Sequence, residues 1–275
     1  MNEAPGRRAM KGLGPRVITG LGLALTAVVL VLWAPLWALG LVVAGLGILG
    51  MREYLRLALP QASPGEKAVG MGLAAATPLA ALLGGAGVAG ALGLGLILSA
   101  VAAMAGPGEP AQILDRGLRL GWGLLYVAGQ LSAYLLLGAR PEGRFLILFG
   151  VVVVVAADCG AYFAGHLLGR RPLSPRLSPG KTLEGLAGGL LLAALVGAIF
   201  ARVCLPDTPL LAGAGLGLLL AGFSVAGDLL ESTLKRAGGA KDSGTLLPGH
   251  GGLLDRIDGL LVAAPVLLLC RVLWW

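Results

Sequence analysis

The sequence predicts an all-α fold: a polytopic integral membrane protein of about nine transmembrane helices with its N-terminus in the cytoplasm. Three observations predict it. Charged residues make up 13% of the 275 positions, against about a quarter in a soluble domain, and the mean hydropathy is +0.88. Apolar runs of about 20 residues, enough to cross a hydrocarbon core of roughly 30 Å, recur along the chain. The cations crowd into alternate connecting segments, as the positive-inside rule requires of a protein that crosses the bilayer repeatedly.

The spans fall at about 17–33, 35–51, 68–84, 86–105, 119–138, 145–168, 183–204, 209–227 and 259–275. The basic leader MNEAPGRRAMKGLGPR opens the first run, whose length and continuation into a second favour an uncleaved span over a signal peptide. Pro or Gly interrupts the second and third spans, and the fifth is weakly apolar. With the N-terminus inside, 17 of the 21 Lys and Arg residues face the cytoplasm, leaving Arg140, Arg144, Arg202 and Arg271 outside. The net charge of +7 is spread over short loops and tracks no single groove, which excludes a nucleic-acid partner. Cys159, Cys204 and Cys270 form no CxxC pair and suggest neither a disulfide framework nor a zinc site. Many of the 47 glycines recur at small-xxx-small spacing, such as Gly85–Ala89 and Gly185–Gly189, which lets helices approach closely in lipid. The chain reads as one membrane domain. Residues 1–140 supply about five supporting spans, and residues 141–275 carry the polar cytoplasmic loops.

Two polar regions break the apolar pattern. In the first, Asp158 lies inside a hydrophobic span, where an ionisable residue defaults to a functional role. Tyr162 and His166 follow at intervals of four, on the same helical face. Beyond them SPGKTLEG places Pro179 and Gly180 before Lys181, with Thr182 as a helix cap and Glu184 in the first turn. A lysine beside helix-start amides suits a phosphate. The upstream glycine and strand of a P-loop are absent.

The second region spans 228–258. Asp228, Glu231 or Ser232, and Lys235 share one helix face, and Ala237-Gly238-Gly239-Ala240 ends that helix. Lys241 and Asp242 then stand in a loop, followed by LLPGHGGLLDRID. The backbone of the turn at Pro248, His250, Gly251 and Gly252 could face an anion. Asp255 and Asp258 meet at the start of the last helix, and paired like charges call for a cation between them. Hard carboxylate oxygens together with substrate phosphates are what Mg²⁺ takes. By chemistry alone, Asp228, Asp255 and Asp258 suit a metal, and Lys235, Arg236 and Lys241 suit phosphates.

This region resembles the signature of the phosphatidate cytidylyltransferase (CDP-diacylglycerol synthase) family. The residues that carry the resemblance are Ser232, Leu234, Lys235 and Arg236, then Lys241, Asp242 and Gly244, then Leu247, Pro248, His250, Gly251, Gly252, Leu253, Asp255, Arg256, Ile257 and Asp258. The Asp158–Tyr162 segment and SPGKTLEG resemble the same family's other polar region, though Gly180 and Leu183 stand where that family more often has a second lysine and an aromatic. The resemblance implies transfer of a cytidylyl group from CTP to phosphatidic acid, giving CDP-diacylglycerol and pyrophosphate at the cytoplasmic face of the inner membrane. It also implies dependence on Mg²⁺, with K⁺ as a candidate second cation, and a homodimer. Carried onto this chain, it makes Asp228, Lys235, Arg236, Lys241, Asp255 and Asp258 catalytic. Substrate contacts fall to Lys181, Ser232, His250, Gly251, Gly252 and Arg256, with Asp158, Tyr162 and Asp242 in a second tier. Two neighbouring chemistries share the layout: a CTP-dependent polyprenol or phytol kinase, and an ether-lipid cytidylyltransferase. A transporter would place its ionisable groups near the midplane, whereas here they gather toward one face.

Overall fold

The computed structural model describes residues 22, 25–244, 246 and 251–274. Residues 25–33 are helical. They lead into α1 (Leu36–Ala58), α2 (Pro64–Ala80, extended by a 3₁₀ turn at Ala81–Leu83), α3 (Gly85–Met104) and α4 (Pro110–Gly123). A π-helical segment (Leu124–Gly129) joins α4 to α5 (Gln130–Gly138). Then come α6 (Gly143–Leu168), a hairpin of β1 (Pro172–Ser174) and β2 (Ser178–Thr182), α7 (Leu183–Cys204), α8 (Leu210–Ala237) and α9 (Leu254–Trp274). Seven helical stretches among the described residues, from Leu36–Ala58 to Leu210–Ala237, are long and apolar enough to cross a membrane. The expected first span lies partly outside the described residues, and the expected ninth corresponds to α9.

The all-α class holds, with one small exception. Pro172 pairs antiparallel with Thr182, and Ser174 with Ser178, where only a loop was expected. Helix ends also differ from the expected spans: α1 runs on to Ala58, α8 runs on to Ala237, and α9 starts at Leu254. Hydropathy marks where hydrocarbon ends, whereas a helix stops where its terminal amides and carbonyls find other partners. Those partners are present. Ser63 and Glu66 form a reciprocal capping box on α2, and Thr182 Oγ1 accepts the Gly185 N–H at 3.1 Å to start α7. Gly238, followed by Gly239 at φ 65°, closes α8 where the glycine run was expected to end it.

The helix ends are stitched at both faces. At one face the Tyr54 hydroxyl donates to Arg119 O (2.8 Å), and Arg119 donates to Ala58 O (3.2 Å). Arg116 there donates to Ala103 O (3.1 Å) and pairs with Glu66 at 3.0 Å by charge rather than through an aligned hydrogen bond. Cations over the terminal carbonyls of α1 and α3 also complement the helix dipoles. At the other face Arg144 donates to Leu32 O (2.6 Å) and Ala34 O (2.8 Å), tying residues 25–33 to the start of α6.

Two apolar clusters form the interior. One joins Met51, Tyr54 and Leu55 of α1 to Leu120, Val127, Leu131 and Leu135, and the other joins Phe149 and Val153 of α6 to Ala193, Leu216 and Leu220. Helix α9 belongs to both, through Leu254 and Leu261 on one side and Ala263 and Leu267 on the other. Close approach of α6 and α7 depends on glycine: a Cβ on Gly189 would lie 2.7 Å from Ala157 O, and one on Gly185 2.9 Å from Ala161 O. The expected Gly85–Ala89 contact is absent, since a Cβ on Gly85 would meet nothing within 4 Å.

Candidate active site

The continuous 28-residue α8 carries Asp228, Glu231, Ser232 and Lys235 in register on one face, toward the first turn of α9. Together with Asp158 of α6 and Lys181 of β2, these residues and Asp255, Arg256 and Asp258 line a cleft of about 280 Å³. Lys181 Nζ pairs with Asp228 Oδ2, so the two polar regions of the sequence close on one another across 47 positions. Lys235 Nζ bridges Glu231 Oε2 (2.5 Å) and Asp255 Oδ1 (2.7 Å). The Asp258 carboxyl lies within hydrogen-bonding reach of Asp228. Among the described residues, five carboxyl groups thus share this cleft with three basic side chains, an oxygen-rich lining that suits a further cation.

Asp255 is the hub. Its Oδ2 accepts the N–H groups of Ser243 (2.9 Å) and Gly252 (2.8 Å) and lies 2.9 Å from Ser243 Oγ, while Oδ1 holds Lys235. Both oxygens are therefore engaged by the protein. Among the described residues no three His, Cys, Asp or Glu side chains form a ready-made metal cage.

A second cavity of about 390 Å³ adjoins the first and shares Asp158, Lys181 and Asp228 with it. Ala157, Ala161, Leu186 and Leu190 give it an apolar wall between α6 and α7, and Tyr162, His166 and Thr182 line its polar side. Tyr162 stacks on His166, with rings nearly parallel and centroids 6.0 Å apart. Glu184 accepts the N–H groups of Arg170 (3.0 Å) and Arg171 (3.2 Å) and so fixes the hairpin that presents Lys181.

Not every expected residue enters these cavities. Arg236, Lys241 and Asp242 are exposed and line neither. Gly251, at φ 83°, and Gly252 lie against Asp255. His250 lies outside the described residues, as do Leu247 and Pro248.

Other groups were missed by sequence reasoning. Glu231, named only for sharing the face of Asp228, is 2% exposed, and its Oε1 has no hydrogen-bond partner. Tyr126, on the π-helical segment, is buried within electrostatic range of Asp258, Glu231 and Asp228, and its hydroxyl is also unpartnered. Glu53 and Ser243 are buried and joined at 3.0 Å. No local pattern flags Glu53, because its partners lie about 190 to 200 positions away.

The cytidylyltransferase family profile matches residues 14–274. The chain belongs to the cytidylyltransferase family. A phosphatidate cytidylyltransferase of Pseudomonas aeruginosa is 44% identical over 160 residues, 58% of each chain. One of Bacillus subtilis is 46% identical over 125 residues, 46% of each. The Escherichia coli protein YnbB, described as uncharacterized, is 41% identical over 165 residues, 58% of this chain and 55% of that one. The chain spans about half the length of the curated relatives it matches. Membership covers nearly the whole sequence, so α1 to α5 belong to the family's architecture as much as the polar loops do.

Proposed function

We propose that this member of the cytidylyltransferase family is a phosphatidate cytidylyltransferase, moving the cytidylyl group of CTP to phosphatidate to give CDP-diacylglycerol and pyrophosphate. The names of the relatives over the matched stretches support the reading. One structural observation carries it: Lys181, Lys235 and Arg256 stand among five carboxylates in a cleft that continues into a cavity with an apolar wall between helices. A polar cleft for a triphosphate joined to a seat for a lipid suits a reaction between CTP and a membrane phosphate.

In this reaction a phosphate oxygen of phosphatidate attacks the α-phosphorus of CTP. The bond from that phosphorus to the bridging oxygen breaks, and pyrophosphate leaves with the electron pair. A phosphate monoester is largely ionised near pH 7, so no protein base is required. The work left to the protein is positioning and charge neutralisation. Lys235, held by Glu231 and Asp255, and Lys181, held by Asp228, would supply ammonium groups to the phosphate oxygens. Asp228 and Asp258 would hold Mg²⁺. Mg²⁺ usually takes one or two carboxylates plus substrate phosphates, which fits a site without a protein cage. When bound, it supplies charge neutralisation at the phosphate oxygens. Asp255, with both oxygens engaged, serves as the organiser of Lys235 and of the loop, a different role from the metal ligand expected of it. K⁺ would share the same acidic cleft, and Asp158 and Tyr162 border the lipid side.

The proposal includes nine spans, a cytoplasmic N-terminus and cleft, location in the inner membrane, and a homodimer as the resemblance implies. The deciding assay gives purified protein CTP labelled in the cytidine, Mg²⁺, and either phosphatidate or a lipid alcohol. Label in the phosphatidate product with release of pyrophosphate is the expected result. CDP release with a phosphorylated alcohol would make it a kinase, and turnover confined to ether-linked acceptors would move it to that class.

A further inference from the structure

The C-terminal end of α1 reaches into the loop that joins α8 to α9. The Glu53 carboxylate is buried there and accepts three bonds: Leu253 N–H at Oε1 (2.9 Å), Leu254 N–H at Oε2 (2.9 Å) and the Ser243 hydroxyl, 3.0 Å from Oε2. The Leu254 N–H is the first amide of α9 and the Leu253 N–H immediately precedes it, a place where a carboxylate is favoured by the positive end of the helix dipole. One turn on, Arg56 donates to Ser243 O (2.5 Å). The Ser243 hydroxyl sits between Glu53 and Asp255 with one proton for the pair, and it accepts the Asp255 N–H at 3.3 Å. A single run of contacts therefore leads from Glu53 through Ser243 to Asp255, Lys235 and Glu231.

The glycines of the loop belong to the same arrangement. A Cβ on Gly244 would lie 2.2 Å from Glu53 Oε1, and one on Gly252 would lie 2.6 Å from Glu53 Oε2 and 2.1 Å from Ser243 Oγ. A Cβ on Gly238 would lie 2.8 Å from Leu57 O. Admission of the end of α1 requires glycine at these three places.

We infer that Glu53, assisted by Arg56, is a positioning residue of the active site: it clamps Ser243 and the start of α9, and so sets Asp255 and the ammonium of Lys235. The inference rests on the proposed cytidylyl transfer and assigns the supporting half of the chain a direct part in it. Glutamine cannot replace Glu53, because its NH₂ group would turn a donor toward the N–H of Leu253 or toward the donors at Oε2.

The test compares wild type with Glu53→Gln, Ser243→Ala and the double variant, each as monodisperse protein in detergent at equal folded concentration. Misplacing a catalytic ammonium without removing it lowers kcat about 10- to 100-fold while leaving KM for phosphatidate near wild type. The double variant should lose little beyond the larger single loss, since both changes cut one linkage. Amide exchange across residues 251–256 should quicken in Glu53→Gln. A purely structural role would lower yield or melting temperature and leave kcat per folded molecule unchanged. That result, additive losses, or unchanged exchange would overturn the inference. Should Glu53→Gln fail to fold, Ser243→Ala alone must lower kcat and quicken exchange, and wild-type values for it would sink the clamp. Wild-type protein that turns over no CTP with any lipid defeats the assigned reaction, and the exchange rates then decide the clamp by themselves.

Discussion

Lys235 holds two carboxylates at once, Glu231 at 2.5 Å and Asp255 at 2.7 Å, with its own side chain 18% exposed. Removing one partner from a buried charged set leaves the others uncompensated, which is far costlier than the set's net contribution. Lys235→Met should therefore reduce turnover at least about 100-fold, as loss of a preorganised charge at a transferring phosphoryl group does, and also lower the melting temperature. Activity and melting of the purified variant check both parts. Lys181 pairs with the more exposed Asp228, whose side chain is 21% exposed, and Lys181→Met should cost activity with a smaller loss of stability. The residues that chemistry marks most plainly (carboxylates in apolar sequence, lysines beside glycine turns) were legible without a structure. Which oxygen each lysine meets was not, because Lys181 and Asp228 are brought together by the packing of α7 on α8.

The helices are where the glycines of this chain divide into two kinds. A Cβ on Gly217 of α8 would lie 2.4 Å from Ala193 O of α7, while one on Gly222 would meet nothing within 4 Å. Gly217→Ala should push the two helices apart and lower the melting temperature by several degrees. Gly222→Ala should raise stability by up to about 1 kcal/mol through helix propensity. Equal effects in thermal unfolding would contradict the assigned packing. Spacing alone cannot separate such pairs, which is why Gly185–Gly189 was legible as a contact and Gly85–Ala89 was misread. The hairpin at 172–182 was not legible either, since its strands are three and five residues long and rich in Pro and Ser. It is held by Glu184, which was read only as a first-turn charge.

At the scale of the whole molecule, composition gave the membrane class and cation spacing gave an orientation. In a background freed of Cys159, Cys204 and Cys270, Arg140→Cys should react with a membrane-impermeant thiol reagent applied outside intact cells, and Arg176→Cys only after permeabilisation. The reverse pattern would invert the topology. What the sequence could not reveal is that the halves of the chain interlock, with the end of α1 bonded to Ser243 and to Leu253 at the start of α9. Those contacts join residues close to 200 positions apart, beyond the reach of any periodicity.

In the proposed function the cleft between α8 and α9 carries out cytidylyl transfer with a divalent ion held at Asp228 and Asp258. The most direct measurement is pyrophosphate release from CTP and phosphatidate by purified wild type, with and without a chelator, beside Asp258→Asn at matched folded concentration. The account predicts Mg²⁺-dependent release by wild type, abolished by chelation and reduced at least about 100-fold in the variant. Full turnover by Asp258→Asn, or release indifferent to chelation, would contradict it.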